Sequence, residues 1–212
     1  MRFRDRRDAG RLLAERLSTE DLHDPVILAL PRGGVPVAFE IAEALHAPLE
    51  VLVVRKVGAP HHREYGIGAI AERDVTIRDD AAVRLVGVSL ERFAALADDE
   101  RRELDRRVHH YRGERPLPDL DGRDVVLVDD GLATGVTAEA AITAVHGSGA
   151  NRVVLAVPVS AADTAARLAR MADVVCLATP ERFMAVGEWY DDFGQTTDAE
   201  VLELLDRADR RD

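Results

Sequence analysis

The chain has 212 residues, 47% of them hydrophobic, and its 39 acidic side chains outnumber its 28 lysines and arginines, giving a formal net charge of −11. This length and composition suit one folded domain. The negative charge argues against binding to nucleic acid, and the single cysteine excludes a disulfide framework within the chain. The sequence has no long apolar run and no apolar leader, which predicts a cytoplasmic protein that does not bind a membrane.

Five short apolar runs alternate with helical stretches along the chain. They are residues 26–30, 49–54, 125–128, 153–157 and 174–177. These runs lack strict alternation of apolar and polar residues, which is typical of parallel strands covered on both faces. The pattern therefore predicts an α/β fold in which helices flank a central parallel sheet.

Apolar residues at helical spacing predict the helices between these strands. They cover residues 8–17, 37–45, 138–145 and 161–171. Gly147 is placed to end the third helix, and Ser160 to cap the fourth. Thr197 followed by Glu200 predicts a capping box, which would open a final helix towards residue 207.

The middle of the chain departs from this rhythm. Glycines predict a loop over about residues 58–70, with a short hairpin or strand pair within residues 67–77. A polar helix should follow within a helical insertion over about residues 78–115. No repeat or linker divides the chain, so we expect a single domain over residues 1–212.

The third strand run leads directly into two acids, a loop of small residues and a helix. Amides in a loop that opens a helix point at a common centre, where the helix N-terminus favours an anion. Gly131 and Gly135 permit tight curvature, and Thr134 and Thr137 offer hydroxyl donors, so a phosphate monoester fits this loop. The candidate binding residues are Gly131, Leu132, Ala133, Thr134, Gly135, Val136 and Thr137.

Asp129 and Asp130 would repel a phosphate, so they must face vicinal hydroxyls or a divalent cation, as a ribose 5-phosphate would present. Two other interpretations of a strand that ends in two aspartates are a response-regulator-like acidic pocket and an ordinary strand-to-helix turn. A Walker A loop is excluded, because no Gly-Lys-Ser/Thr follows. The segment resembles the signature of the type I phosphoribosyltransferases. It is most similar to the adenine enzymes, although Gly131 and Val136 replace a larger residue and a glycine.

Two further segments resemble parts of the same family. Arg32, Gly33 and Gly34 follow the first strand and resemble the diphosphate loop, although alone they would suggest an ordinary turn. Arg55 and Lys56 resemble the basic residues beside the diphosphate. In this family the corresponding loop, here residues 58–70, closes over the reacting centre. The loop contains a pair of histidines, which could instead be solvated side chains or part of a metal site.

Residues 180–196 concentrate aromatic side chains in a chain that is otherwise poor in them. A plain core role is one interpretation, but the segment resembles the small C-terminal hood of the 6-oxopurine enzymes. The resemblance makes Phe183 and Trp189 candidates for stacking on a base, and Asp191 a possible metal contact. Ala133 replaces the acid of those enzymes, which argues against hypoxanthine or guanine.

The resemblance implies an enzyme that transfers the phosphoribosyl group of phosphoribosyl diphosphate to a nitrogen base and releases diphosphate. Asp129 and Asp130 would be its catalytic acids and, with Asp191, its Mg²⁺ contacts. A homodimer is also implied. The rivals are a catalytically silent sensor of phosphoribosyl diphosphate or nucleotides, and a phosphatase or nucleotide hydrolase.

Overall fold

The computed structural model describes residues 1–210, except for the side chain of Glu64. Its strands are β1 (Val26–Ala29), β2 (Leu49–Val51), β3 (Val54–Ala59), β4 (His62–Ala71), β5 (Val75–Arg78), β6 (Asp124–Val128), β7 (Arg152–Val159) and β8 (Asp173–Ala178). Its helices are α1 (Arg6–Leu17), α2 (Gly34–Leu45), α3 (Asp80–Leu85), α4 (Leu90–Arg112), α5 (Val136–His146), α6 (Ala162–Leu168) and α7 (Asp198–Asp209). No helix within the described range is long and apolar enough to cross a membrane.

The central sheet has five parallel strands in the order β2-β1-β6-β7-β8. Successive side chains of β6 enter opposite cores: Val126 and Val128 pack on one face, and Val125 and Leu127 on the other. Helices cover both faces, because a strand without a polar face must be buried on each side. The α/β fold class with a central parallel sheet is confirmed.

The strand order reverses direction between β1 and β6. The chain moves one way from β1 to β2, and the opposite way from β6 to β7 and β8. In open parallel sheets of this kind, ligands bind outside the carboxyl ends of the strands at the point of reversal. The loops that follow β1 and β6 therefore flank the expected ligand crevice.

The predicted strand over residues 49–54 is divided between two sheets. β2 ends at Val51, and β3 begins a separate antiparallel sheet, β3-β4-β5. At the break, Arg112 Nη1 donates to the carbonyl of Val51 at 2.9 Å, and the amide of Val53 donates to Glu72 Oε1 at 2.7 Å. Side chains thus satisfy backbone groups that the central sheet no longer pairs.

Most of the predicted loop over residues 58–70 forms the β3–β4 hairpin instead, while the short hairpin expected near residues 67–77 is confirmed by β4 and β5. The glycines lie within strands because neighbouring backbone approaches them closely. A Cβ on Gly58 would lie 2.3 Å from the carbonyl oxygen of Arg63, and one on Gly68 would lie 2.4 Å from that of Ile77. Glycine in a strand marks such approaches as well as loops.

The predicted helices form, with one wrong cap. The insertion is helical, as α3 and α4; Gly147 is the C-cap of α5, and Thr197 Oγ1 accepts from the amide of Glu200 at 3.2 Å as α7 opens. Ser160 does not cap α6. It is buried after β7, where its hydroxyl donates to the carbonyl of Ala161, and Ala161 is the N-cap without a side-chain bond.

The predicted hood contains a 3₁₀ turn at Val186–Trp189 and packs against the start of the chain. The Phe3 amide donates to the Trp189 carbonyl, and the Asp191 amide to the Phe3 carbonyl, both at 2.8 Å. Phe3 and Tyr190 are buried together, with ring centroids 5.5 Å apart. The hood is therefore held in place by the first residues of the chain.

Candidate functional site

The Arg-Gly-Gly loop after β1 lies directly against the acidic pair after β6. A Cβ on Gly33 would lie only 2.1 Å from Asp130 Oδ2, and one on Gly34 would lie 2.5 Å from the carbonyl oxygen of Val128. The peptide bond between Pro31 and Arg32 is cis. Because side chains at these positions would collide with the β6 strand end, the two glycines are what allow the loops to meet.

Asp129 and Asp130 form a tight, largely buried pair. The Asp130 amide donates to Asp129 Oδ1 at 2.9 Å, and the Asp130 side chain is 15% exposed. Burial and the charge of Asp130 raise the pKa of Asp129 well above its ordinary value. Burial also raises the pKa of Asp130, and the nearby guanidinium of Arg6 opposes that rise.

The segment after the acids presents backbone amides outward. The Leu132 amide donates to the Val159 carbonyl at 2.9 Å, which anchors the loop, while Ala133 and Thr134 are exposed. Gly135, at φ 71°, is the N-cap of α5. Within residues 1–210, the amides from Ala133 to Thr137 donate no hydrogen bond to the protein.

The carbonyls of this loop are held from the opposite side by α6. Thr164 Oγ1 donates to the Ala133 carbonyl at 2.6 Å, and Arg167 Nη2 donates to the Thr134 carbonyl at 2.7 Å. With the carbonyls turned towards α6, the amides and the positive end of α5 are left for an anion. The segment over residues 131–137 is thus chemically suited to a phosphate.

Arg6 is a member of this site that the sequence did not reveal. Its Nε donates to Asp130 Oδ2 at 2.8 Å, and its side chain is 12% exposed. The guanidinium lies 3.9 Å from the ring centroid of Phe193, and Nη1 donates to the Gly194 carbonyl at 2.7 Å. No spacing in the sequence links residue 6 to residue 130.

Arg32 projects from the Arg-Gly-Gly loop towards the C-terminal helix. Its Nη1 lies 3.8 Å from Asp198 Oδ1, and the same oxygen accepts a hydrogen bond from the Tyr111 hydroxyl at 2.5 Å. Burial and Asp198 together raise the pKa of Tyr111 to about 12, so the hydroxyl stays a donor. The last turn of the insertion thus contacts the acid that faces Arg32.

Arg55 and Lys56 lie on β3 and, as neighbours in a strand, point to opposite faces. Arg55 donates twice to Glu100 of α4, at 2.9 and 2.6 Å. Lys56 shares its face with Val54, which packs against α5. Both border a cleft of about 400 Å³ between β3 and α4, whose lining includes none of residues 129–137.

Of the three hood residues predicted for the site, Phe183 and Trp189 are half-buried and Asp191 is exposed. Phe183 and Trp189 pack around the cluster of Phe3 and Tyr190, and the indole Nε1 of Trp189 is buried without a partner among the described residues. Asp191 forms an ion pair with Arg2 at 2.8 Å, where both side chains are 61% exposed. The structure does not group Asp191 with the acidic pair.

Of the three acids predicted to contact a metal, Asp129 and Asp130 lie together and could hold one. Across residues 1–210, with the Glu64 side chain set aside, no group of three or more histidine, cysteine or acidic side chains could hold a metal ion. Mg²⁺ is usually held in proteins by one or two carboxylates together with water and substrate phosphates. The pair fits a magnesium ion that a phosphorylated ligand brings with it, and not a resident metal in an all-protein cage.

Comparisons with known proteins agree with this geometry. The family model of the phosphoribosyl transferase domain matches residues 5–189. Two proteins from strains of Mycobacterium tuberculosis, both named "Putative phosphoribosyl transferase", are 50% identical over 209 residues. The match covers 98% of this chain and 47% of each relative, so the chain spans about half the length of these curated relatives.

Solved structures give the same picture of the fold. The crystal structure of TT1426 from Thermus thermophilus is 47% identical, covers 97% of this chain and 98% of its own, and superposes with a TM-score of 0.82. The AQ2163 protein from Aquifex aeolicus is 14% identical over 86% of this chain and 78% of its own, with a TM-score of 0.53. At that identity, the second likeness concerns the fold alone.

Proposed function

The chain belongs to the phosphoribosyl transferase domain family, and from that premise we propose that it transfers the 5-phosphoribosyl group of phosphoribosyl diphosphate to a nitrogen of a small heterocycle, with release of diphosphate. One observation carries the proposal. At the reversal point of the sheet, the acidic pair runs directly into a segment whose amides from Ala133 to Thr137 have no acceptor among the described residues, and Gly33 of the Arg-Gly-Gly loop lies against Asp130. The three parts match the hydroxyls and the two phosphate ends of this donor.

Each part has a distinct task in the proposed reaction. The amides from Ala133 to Thr137 and the Thr134 and Thr137 hydroxyls bind the 5-phosphate, which takes no part in the chemistry. Asp129 and Asp130 hold the ribose hydroxyls, and the Gly33 amide with Arg32 receives the diphosphate; the Gly34 amide donates instead to the Leu30 carbonyl at 3.1 Å. Binding at both ends positions the ribose C1 for the incoming nitrogen.

Positive charge develops on the ribose as the bond to diphosphate breaks, and Asp129 and Asp130 stabilise it. Asp129 and Asp130 are proposed as the residues that would hold a Mg²⁺ ion, which would supply positive charge to offset that of the diphosphate. Arg55 and Lys56 are proposed to add positive charge on the approach to this end of the site.

Asp129 and Asp130 lower the stability of the fold when they are ionised, and this cost favours a functional role for the pair. An aspartate whose pKa is higher in the folded than in the unfolded chain stabilises the fold only while it is protonated; at neutral pH its ionisation opposes folding. Asp129 and Asp130 both have raised pKa values. Groups kept at such a cost are typical of sites that use them.

The acceptor is proposed to bind between the acidic pair and the hood. Phe183 and Trp189 supply apolar ring surface there. We assign no single base. Asp191 is proposed as an outer contact only, because its ion pair with Arg2 lies at the surface.

A sensor that binds the donor without transfer is the second candidate. The observation that favours it is the ion pair between Arg6 and Asp130, which engages one oxygen of a proposed catalytic acid. Such a protein would use the same pocket and the same phosphate contacts. Product formation separates it from a transferase.

The deciding experiment incubates the protein with phosphoribosyl diphosphate, Mg²⁺ and a panel of purines, pyrimidines and other heterocycles. We expect a nucleoside monophosphate by mass spectrometry and diphosphate in equal amount. Calorimetric binding of the donor without diphosphate release would support the sensor. Ribose 5-phosphate formed without any base would support a hydrolase, and no binding of the donor would contradict all three.

Replacing Gly33 with alanine tests whether the two loops must touch. The new Cβ needs space that Asp130 Oδ2 occupies, so the carboxylate should move off Arg6 and out of line with the ribose. Because misplacement by about 1 Å at a reacting centre is costly, we expect the rate of transfer to fall roughly 10- to 100-fold in steady-state assays.

The matched control is Gly147→Ala at the end of α5. Gly147 has φ −69°, and an added Cβ would lie 3.6 Å from the nearest carbonyl, so it should be tolerated. Circular dichroism should show both variants folded. Equal rates in the two variants would mean that the contact between Gly33 and Asp130 does not matter for the reaction.

A further inference from the structure

Arg6 is the only cation that an ion pair joins to the acidic pair among the residues that the structure describes. Its Nε lies 2.8 Å from Asp130 Oδ2, and the two side chains are 12% and 15% exposed. Burial to this degree separates the contact from the exposed arginine pairs elsewhere, which contribute little to stability. It joins the N-terminal segment to a residue more than a hundred positions away.

The N-terminal segment holds Arg6 in this place firmly. The Asp192 amide donates to the Arg4 carbonyl at 2.8 Å, beside the two bonds between Phe3 and the hood. Asp5 then caps α1 by accepting from the Asp8 amide at 2.7 Å, which fixes the turn on which Arg6 begins. The ring of Phe193 and the Gly194 carbonyl complete the surroundings of the guanidinium.

Charge explains why a cation is useful at this position. Two adjacent carboxylates in a buried site repel a donor that carries a phosphate and a diphosphate, and that repulsion is strong where water is excluded. A guanidinium fixed on Asp130 reduces the negative charge that the donor meets. It does so without water having to reorganise when the donor arrives.

The position of Arg6 also links the acidic pair to the hood. Arg6 forms part of the wall of a cleft of about 290 Å³, which is also lined by its neighbours in the chain, by Pro36 just after the Arg-Gly-Gly loop, and by Asp192, Gly194, Gln195, Thr196 and Glu200. The same side chain thus contacts a proposed ribose-binding acid and a cleft beside the hood. A loss of Arg6 would alter both.

We infer that Arg6 is a positioning residue for the donor, which orients Asp130 and offsets the charge of the acidic pair so that phosphoribosyl diphosphate can bind. The inference rests on the proposed function, because it names a residue of the same site. The N-terminal segment thereby takes part in donor binding, through a side chain that lies outside the central sheet.

The test compares Arg6→Met, Arg6→Lys and the matched control Arg4→Met. Methionine keeps an unbranched side chain that can contact Phe193 but removes the charge. Arg4 lies two residues away, is 72% exposed and pairs with Asp8, so its loss should leave donor binding unchanged. Isothermal calorimetry measures the affinity for phosphoribosyl diphosphate and for ribose 5-phosphate, and thermal unfolding measures stability.

We expect Arg6→Met to weaken binding of phosphoribosyl diphosphate about 30-fold, because the anionic donor would then face the uncompensated charge of the acidic pair, and like charges placed together on binding cost affinity. The loss should be smaller for ribose 5-phosphate, which carries less negative charge. Arg6→Lys should recover part of the affinity. This dependence on ligand charge is what a purely structural role would not produce.

Three results would overturn the inference. Unchanged binding in Arg6→Met would mean that the contact is incidental, and tighter binding would mean that Arg6 obstructs the site. Equal losses for both ligands together with a lower unfolding temperature would indicate a structural role. If the wild-type chain binds neither ligand, the proposed function itself fails, which is a distinct result from wild-type binding that Arg6→Met leaves intact.

Discussion

Asp130→Asn is expected to lower the rate of phosphoribosyl transfer by about 1000-fold while the chain still folds. The asparagine has the shape of the aspartate but no charge, so it cannot stabilise positive charge on the ribose. Single electrostatic groups of this kind are worth about 100- to 1000-fold in rate, and Asp130 also orients the ribose hydroxyls. Transfer is measured as nucleoside monophosphate formed under saturating donor and base.

Stability should change little in this variant, because two effects oppose each other. Removing a buried carboxylate relieves the cost that its raised pKa indicates, while Arg6 loses its ion-pair partner. We expect a net change within about 1 kcal/mol in urea unfolding. Asp173→Asn is the control, since Asp173 pairs with Arg152 at an exposed site. Undiminished transfer in Asp130→Asn would refute the assignment of this pair.

The central sheet could be predicted because its strands are apolar on both faces. β6, for example, is buried at every position, and only a two-sided core explains such a run in a short segment. The acidic pair and the loop after it could be located for the same reason: a strand end, small residues and a helix start are local features. The structure brings Gly33 to this pair, as adjacent parallel strands require.

What the sequence could not reveal depends on contacts between distant segments. Phe3 pairs with Tyr190 of the hood, and Arg6 pairs with Asp130, each across more than a hundred residues, so no local pattern in the sequence indicates either contact. The β3–β4 hairpin, which was predicted as a loop, was also missed because it depends on contacts between separate segments. Glycines there meet neighbouring backbone, which is a property of the folded sheet and not of the segment.

Arg55 and Lys56 are adjacent in the sequence but have different surroundings in the structure. The sequence suggested two cations beside one ligand, but strand geometry points them to opposite faces. Arg55 consequently faces α4 and pairs with Glu100, whereas Lys56 lies on the face that packs against α5. Once the strand is recognised, the period of two is enough to separate their surroundings.

A buried ion pair lies where the chain leaves the central sheet after β2. Arg112, at the end of α4, forms a two-pronged contact with Glu72, and both residues are buried. Arg112 also donates to the Val51 carbonyl, while Glu72 accepts from the Val53 amide at 2.7 Å. The insertion therefore supplies one side of the junction between the two sheets.

Glu72→Leu is expected to destabilise the protein by about 3–5 kcal/mol, measured as the free energy of unfolding in urea. The leucine leaves the Arg112 guanidinium without a counterion in a buried site, and it leaves the Val53 amide without an acceptor. Asp209→Asn is the matched control: it breaks the ion pair with Arg115 at the exposed end of α7 and should cost less than about 1 kcal/mol.

The double variant Glu72→Leu/Arg112→Leu separates the two sources of this cost. If the unpaired charge dominates, removing Arg112 as well should recover part of the loss, because no buried charge remains. If the backbone bonds to Val51 and Val53 dominate, the double variant should be at least as unstable as the single one. A cost for Glu72→Leu no larger than that of Asp209→Asn would show that neither source matters, and that the chain leaves the central sheet at Val51 for another reason.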